Sequence, residues 1–394
     1  MYFSPVLCSW EPGRREVWRN KAFCETFQTE IPMKVCVIEL NKFHTEVFPV
    51  YENLLPAIFP DREIDIHYFV VPRKYQELKH IYGDLLHAAY DAGVYFLCSK
   101  TGLRGIYFKS SVKRIIGQHH PDLVIFNSIV PERTRDAFES ITDRMKFGIV
   151  HGFGRVLPRK MKNTFYFVLG EEIYQKYRGQ NIDGYMQPLF PQFKLEKVRN
   201  EDKTIIAIQG TISFKRRDYP LLVRTARELK ARQQAGVLFN LVGSMSHRDA
   251  PALLRLVRRH HVEDYFQFHE ALSDEQFYRE VISSDYLMPL LGERQKKYLS
   301  HDTITSTHSH SISYNKPMIL SADNAMAWGM DSSTALIYKS HRELAELITG
   351  LPDKEAYNSL CSALKNLKNQ KEEENRSFLK EMSWAKGLFQ AFRD

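Results

Sequence analysis

Short apolar runs alternate with amphipathic segments from Met33 onward, and this alternation is the main pattern of the chain. The apolar runs of the first half are MKVCVIEL, IDIHYFVV, DLVIFNSI, FGIVHGF and TFYFVLG. Between them lie stretches whose apolar residues recur three and four apart, such as TEVFPVYENLLPAIF and EEIYQKYRG. Continuous apolar strands separated by helices are typical of a parallel sheet that is covered on both faces.

The alternation breaks near Pro188 and then restarts. The segment PLFPQFKLEKVRNEDK combines prolines with a charge cluster, which indicates an interdomain linker. Beyond it the predicted strands TIIAIQG, VLFNLVG, YFQFHE, DYLMPLL, PMILS and TALIYKS alternate with helices. The charged tail from Asp353 to Asp394 is predicted to be helical.

These patterns predict an α/β protein with two Rossmann-like, doubly wound domains over residues 33–190 and 191–374. A C-terminal helix over 375–394 follows. Ligands of such sheets bind beyond the carboxyl ends of the strands, so the cleft between the two domains is the expected site.

Residues 1–32 differ from the rest, since they are polar and aromatic without a sustained period. We interpret them as an extension, of the kind that an upstream start codon adds, and expect weak order there. No basic segment precedes their short apolar run, so they do not predict a secretory signal. No apolar run of the chain reaches the ~18 residues of a membrane-spanning helix.

The net charge of the chain narrows the classes of binding partner. The 394 residues include 55 Lys and Arg against 47 Asp and Glu, a formal net charge of +8 that favours anionic partners. No nucleic-acid-binding signature accompanies this charge, so we expect no nucleic-acid partner. The basic helix predicted over 102–118 either lies on an anionic membrane or packs on a core as an ordinary surface helix. Five scattered cysteines without a CxxC pair predict reduced thiols in a cytoplasm.

The strongest local signal is a basic loop after the first strand of the second half. The strand ends at Gly210, and Lys215, Arg216 and Arg217 then precede a predicted helix. A helix N-terminus with adjacent cations favours a phosphate group. The alternative is a solvated basic turn.

A second signal is the hydroxyl-rich segment before NKPM. Its side chains either cap a helix or, with free amides at a helix N-terminus, form a neutral cradle for a diphosphate. The candidate residues are Thr305, Ser306, Thr307 and Ser309. His308 and His310 have no carboxylate or third histidine spaced to complete a metal site, so no metal is predicted.

Two histidines stand just beyond strand ends of the first half, where parallel sheets carry catalytic groups. His44 and His151 are therefore candidate catalytic residues, with a purely structural role as the alternative. The loop after His151 is wrongly spaced for a dinucleotide fingerprint. The chain has no GxxxxGK[ST] loop, GxSxG elbow or HExxH motif.

From Met33 onward the sequence resembles glycosyltransferases of the GT-B fold, and family 4 in particular. The resemblance is carried by Gly210 with Lys215 and Arg216, and then by the segments LVG, FQF, LMP and NKPMI. It implies a nucleotide-sugar donor held mainly by the second domain, whose diphosphate is contacted by the Lys/Arg pair. It also implies that the C-terminal helix crosses back onto the first domain.

The chain departs from the family pattern at the paired glutamates. These two residues, eight apart, align with Asp302 and His310, and the arginine after the first glycine aligns with Thr211. The resemblance implies that Asp302 and His310 contact the donor.

We expect a cytoplasmic, metal-independent glycosyltransferase that uses a nucleotide-sugar as co-substrate and needs no cofactor. Its acceptor would be a surface glycan or a glycolipid, with peripheral contact to an anionic inner membrane face. The alternative is a GT-B-like protein without transfer activity that binds glycans or acts as a scaffold.

Overall fold

The computed structural model describes the chain in several stretches. They cover residues 31–41, 44, 47–82, 86–88, 104–129, 132–151, 159–190, 203–292, 295, 298, 300 and 304–381. Most of the predicted extension, the centre of the predicted linker and the end of the C-terminal tail lie outside them.

The first sheet consists of seven parallel strands in the order β3-β2-β1-β4-β5-β6-β7. The strands are β1 (Met33–Glu39), β2 (Ile64–Val70), β3 (Leu86–Ala88), β4 (Leu123–Phe126), β5 (Met145–Val150), β6 (Thr164–Leu169) and β7 (Gly184–Met186). The chain runs outward from β1 and then crosses back to β4, so the sheet has its topological switch point between β1 and β4.

Helices cover both faces of this sheet because successive strand side chains point to opposite sides. They are α1 (Phe48–Ile58), α2 (Pro72–Tyr82), α3 (Arg104–His119), α4 (Glu132–Glu139) and α5 (Glu171–Tyr177). Val35 and Val37 belong to one apolar core, with residues of α1, whereas Cys36 and Ile38 belong to the other. The continuous run MKVCVIE is therefore buried on both sides.

The second sheet has six parallel strands in the order β10-β9-β8-β11-β12-β13. They are β8 (Thr204–Gln209), β9 (Val237–Val242), β10 (Phe266–Phe268), β11 (Tyr286–Leu287), β12 (Met318–Ser321) and β13 (Ala335–Tyr338). The switch point of this sheet lies between β8 and β11.

Polar side chains cap several helices of the second domain. The helices are α6 (Tyr219–Ala231), α7 (Ala250–Arg259), α8 (Asp274–Ser283), α9 (Ser306–Tyr314), α10 (Ala322–Ala327) and α11 (His341–Thr349). Asp218 caps α6, and Ser273 with Gln276 forms a reciprocal capping box at α8. Thr305 caps α9 by accepting a hydrogen bond from the Thr307 amide.

The long helix α12 (Lys354–Glu381) crosses from the second domain to the first. It packs against α9 on one side and against α1 and β7 on the other. Asn375 fixes this crossing, since its side chain accepts from the Gln187 amide at 2.9 Å and donates to the Gln187 carbonyl at 3.1 Å. Both residues are buried, so this pair of hydrogen bonds anchors α12 beside the end of β7.

The predicted architecture of two doubly wound parallel sheets with a returning helix is confirmed. Two strands of three residues, β3 and β7, are additions that the sequence pattern did not indicate. Phe190 is the last residue of the predicted first domain, but it packs in the core of the second domain with Ala207 and Tyr278. None of the helices in the described stretches is both long and apolar enough to cross a bilayer.

Candidate functional site

Two glycines leave the carboxyl edge of the second sheet bare at β8 and β9. Gly210 follows β8 with a φ of 98°, and its amide donates to the Val242 carbonyl at 2.9 Å. A Cβ placed on Gly243 would lie 2.0 Å from the Gly210 carbonyl oxygen. Only glycine fits at 243, and the two strand ends present backbone to an incoming ligand.

The three adjacent cations of the basic loop after Gly210 differ in exposure and therefore in role. Lys215 and Arg216 are exposed, whereas Arg217 is buried. Arg217 donates from Nη2 to the Gln209 carbonyl at 2.8 Å and from Nη1 to the Arg216 carbonyl at 3.0 Å. The Lys215 carbonyl accepts from the Gln295 side chain at 3.1 Å. The buried cation thus fixes the loop that displays the two exposed ones.

The hydroxyl-rich segment forms the first turns of α9, and its side chains do not all face one way. Thr305 uses its hydroxyl for the helix cap, and Ser306 is partly exposed. Thr307 and Ser309 are buried, and the Ser309 carbonyl accepts from the Ser313 hydroxyl. Of the four candidate hydroxyl residues, Ser306 alone is partly exposed, so a ligand can reach Ser306 but not the whole set.

His310 lies inside the second domain. Its ring is fully buried, packs 4.5 Å from the Phe190 ring and is stacked with Tyr314 at 5.8 Å. His310 Nδ1 lies 3.2 Å from Gln209 Oε1, so His310 supports the end of β8 from below. The predicted contact of His310 with the donor stays a prediction. Asp302 lies outside the described residues.

The first sheet brings its two predicted histidines together at the switch point. The rings of His44 and His151 stack with their centroids 3.9 Å apart and an interplanar angle of 28°. His151 Nε2 is 2.5 Å from the Asn127 carbonyl, just beyond β4. His44 has a φ of 72°, and its carbonyl accepts from Asn127 Nδ2 at 2.6 Å. Three segments that follow β1, β4 and β5 thus meet at one point.

A buried carboxyl group, Glu39, underlies this histidine pair. Glu39 is the last residue of β1 and is fully buried. It accepts from the Asn41 amide at 2.7 Å and from Asn127 Nδ2 at 2.9 Å. Burial raises the pKa of Glu39 to about 7, although both hydrogen bonds act in the opposite direction. The carboxyl group beneath the histidine pair therefore changes charge near neutral pH.

The carboxyl edges of the two sheets are turned toward each other. Ile304, just before α9, packs against both apolar cores of the first sheet. Its Cδ1 is 3.7 Å from the position of a Cβ on Gly170, which directly follows β6. Lys176 donates to the Ser300 carbonyl at 2.6 Å in the same region. The loop ends of both domains thus border a shared cleft.

Two features of this site were absent from the sequence prediction. Glu39 stands at the end of a buried strand. A charged residue at that position of a βα array indicates a functional site, and this signal is present in the sequence. Asn127, which joins Glu39, His44 and His151, follows β4 in the same way. The burial of Arg217 could not be predicted from the sequence, because the run KRR does not show which of its three cations turns inward.

The sequence matches no protein-family model, and no curated protein matches it either. The assignment to glycosyltransferase family 4 therefore stays a prediction from motifs.

Solved structures of low sequence identity share the fold. The Anabaena protein HepE in complex with UDP and glucose superposes with a TM-score of 0.61 at 11% identity, covering 89% of this chain and 98% of HepE. A glycosyltransferase from Rickettsia africae gives 0.57 at 14% identity, with 89% and 98% covered. A UDP-N-acetylglucosamine 2-epimerase, described as putative, from Listeria monocytogenes gives 0.54 at 11%, with 84% and 91% covered.

These likenesses show the fold, which is the two-domain GT-B architecture. The same architecture carries both transferases and an epimerase, so the fold alone does not select a reaction. The reaction has to be argued from the residues of the cleft.

Proposed function

We propose that the protein is a glycosyltransferase that moves a sugar from a nucleotide-sugar donor to a glycan or glycolipid acceptor. The observation that carries the proposal is the pairing of two edges across one cleft. The second sheet presents the bare glycines 210 and 243 beside Lys215 and Arg216, and the first presents the stacked imidazoles of His44 and His151.

The second domain would hold the donor diphosphate. The diphosphate would contact the backbone at Gly210, Ser306 in the first turn of α9 and the two exposed cations, and this set of donors would need no metal. Fixed donors of this kind stabilise the charge that develops on a leaving diphosphate, and losing one costs about 2.7–4 kcal/mol of barrier. The complexes of HepE with UDP and with UDP-glucose make a uridine donor the first to test.

The first domain would serve the acceptor. An acceptor hydroxyl gives its proton to an imidazole of the His44–His151 pair, and its oxygen forms the bond to the anomeric carbon. The bond from that carbon to the diphosphate breaks, and the nucleoside diphosphate leaves with the electron pair.

A lipid-linked acceptor would bring the protein to a membrane surface on the cytoplasmic side. Helix α3 exposes Lys113 and Arg114 near its C-terminal end, which supports contact with anionic lipid. Sedimentation with anionic and with neutral vesicles tests this part. Equal binding to both would contradict it.

The decisive test of donor binding is the double variant Lys215→Ala/Arg216→Ala, titrated calorimetrically with UDP and UDP-glucose. We expect the dissociation constant to rise about a hundredfold or more, since each charge-assisted bond contributes about 1.5–3 kcal/mol. The matched control is Arg258→Ala/Arg259→Ala, an adjacent exposed pair at the end of α7. Equal affinity in the two double variants would remove the donor assignment.

The test of transfer is His151→Ala with a labelled donor and an extract of glycan and glycolipid acceptors. We expect transfer to fall by about 10²–10⁴-fold while UDP binding is unchanged, because general base catalysis contributes that much. His260→Ala, at the end of α7, is the control.

A second candidate is a GT-B-like protein that binds a nucleotide or glycan without transfer. It is favoured by His310, which stands where the family carries an acidic residue and is buried away from the cleft. UDP binding without turnover by the unaltered protein, across the acceptor extracts, would select this function.

A further inference from the structure

A recess of about 570 Å³ opens at the carboxyl edge of the second sheet. It lies where β11, β12 and β13 end and where α6 and α11 begin. All of its lining residues belong to the second domain, between Phe214 and His341. The residues assigned to the donor in the cleft are not part of this lining, so the recess is a separate cavity. They are Gly210, Gly243, Lys215, Arg216 and Ser306.

Two helix N-termini meet at this recess. Helix α6 has 13 residues and begins after Asp218, and α11 has nine and begins after Ser340. Both capping residues line the recess. The N-terminal end of a helix carries a partial positive charge. At α6 the Asp218 carboxylate already meets this charge by accepting from the Leu221 amide, whereas α11 is capped by the neutral hydroxyl of Ser340. The end of α11 therefore favours an added anionic group.

Two buried polar side chains of the lining each have one atom without a hydrogen-bond partner among the described residues. Arg217 is 8% exposed and its Nε–H has no acceptor. Asn324 is 2% exposed, and its Oδ1 has no donor although its Nδ2 lies 3.5 Å from the Leu291 carbonyl. Buried polar groups are normally paired. A ligand that accepts from Arg217 and donates to Asn324 would satisfy both.

The rim of the recess carries charges of both signs. Arg224 and Lys339 are exposed cations, and Asp218 and Asp323 supply carboxylates. The cations and the N-terminal end of α11 suit a phosphate, whereas the carboxylates and the Asn324 oxygen are acceptors for hydroxyl hydrogens. One small molecule that carries both a phosphate and several hydroxyls matches this mixture.

We propose that the recess is a second ligand site, which binds a sugar phosphate independently of the interdomain cleft. The phosphate lies against Arg217, the exposed cations Arg224 and Lys339 and the first turn of α11, and the sugar hydroxyls face Asn324 and the carboxylates. The proposal goes beyond glycosyl transfer and does not depend on it.

Calorimetric titration of the full chain with glucose 1-phosphate and glucose 6-phosphate tests the site. Arg224→Ala/Lys339→Ala changes two exposed rim residues and leaves the core intact. We expect it to raise the dissociation constant about tenfold or more, since charge-assisted bonds to the phosphate are lost. Asn324→Ala should weaken the same ligand severalfold. Arg227→Ala, an exposed cation on α6 outside the recess, should leave affinity within about twofold.

Three further titrations show whether the sugar phosphate occupies this recess. The cleft variant Lys215→Ala/Arg216→Ala must bind the sugar phosphates as tightly as the unaltered protein, and a loss there would move the ligand into the cleft and overturn the proposal. Inorganic phosphate and glucose, titrated alone, must bind more weakly than the two sugar phosphates, and equal affinity for phosphate would overturn the carbohydrate part. If neither sugar phosphate binds at millimolar concentration, the whole proposal is overturned.

Discussion

The carbonyl oxygen of Gly210 lies 2.0 Å from the point that a Cβ on Gly243 would occupy. No rotation of a side chain relieves this contact, because the backbone fixes the position of a Cβ and the oxygen is itself a backbone atom. The ends of β8 and β9 hold each other in place at the point where the proposed donor binds.

Gly243→Ala should therefore displace the Gly210 loop and destabilise the second domain by about 1–3 kcal/mol, the usual cost of overpacking. Urea unfolding measures the stability, and titration with UDP measures the site. The matched control is Gly117→Ala in α3, where nothing lies within 4 Å of the added Cβ. It should stabilise by about 0.5–1 kcal/mol, since glycine is unfavourable inside a helix. Equal effects at both positions would contradict the backbone contact.

The charge state of Glu39 should make the stability of the first domain depend on pH. Its pKa is about 7 in the folded protein and 4.5 as the reference value, so the folded state binds the proton more tightly. The stabilisation is complete below pH 4.5 and is lost as pH rises through 7, by about 3 kcal/mol in total.

Glu39→Gln stays neutral and should lack this loss. The measurement is the free energy of unfolding of both proteins between pH 4.5 and pH 8, and the quantity of interest is the difference between the two curves. Parallel curves would show that Glu39 keeps an ordinary pKa.

His308 should have the opposite pH dependence. It is buried beside Trp328, at 5.5 Å between ring centroids, and neither ring nitrogen has a partner in the described part of the chain. Burial, with a smaller contribution from Lys371, lowers its pKa from 6.5 to about 4. The unfolded chain takes up the proton first, so stability is present above pH 6.5 and falls by about 3 kcal/mol as pH drops through 4.

His308→Leu should remove this acid-dependent loss. It should also be neutral or stabilising at pH 7, because an unpaired polar group is replaced by an apolar one. Thermal unfolding between pH 4 and pH 7 measures both effects. A destabilisation of the leucine variant at pH 7 would indicate that the ring makes a polar contact.

Asn375 should account for much of the attachment of α12 to the first domain. Replacing it with alanine leaves the buried amide and carbonyl of Gln187 without their partner, at a cost of about 2–4 kcal/mol. Asn369→Ala changes an exposed asparagine of the same helix and should stay within about 0.5 kcal/mol. Denaturant unfolding of the two variants gives the comparison, and similar values would assign the attachment to apolar packing instead.

Periodicity was sufficient for most of the fold. The runs MKVCVIEL and TIIAIQG are apolar at consecutive positions because both faces of their strands are covered. Such a run can be recognised from the local sequence alone. The strands β3 and β7 were not visible, since three residues are too few for a period and their pairing partners lie elsewhere in the chain.

The sequence by itself determined that the cleft has a basic loop on one sheet and histidines on the other, because both follow strand ends, and strand ends of a parallel sheet share one edge. Only the tertiary structure decided which of these side chains are exposed and which are buried. Lys215 and Arg216 are exposed while Arg217 turns inward, and His44 meets His151 while His310 is buried. Neighbours in sequence differ here because burial depends on what the rest of the chain packs against each side chain, which local pattern does not contain.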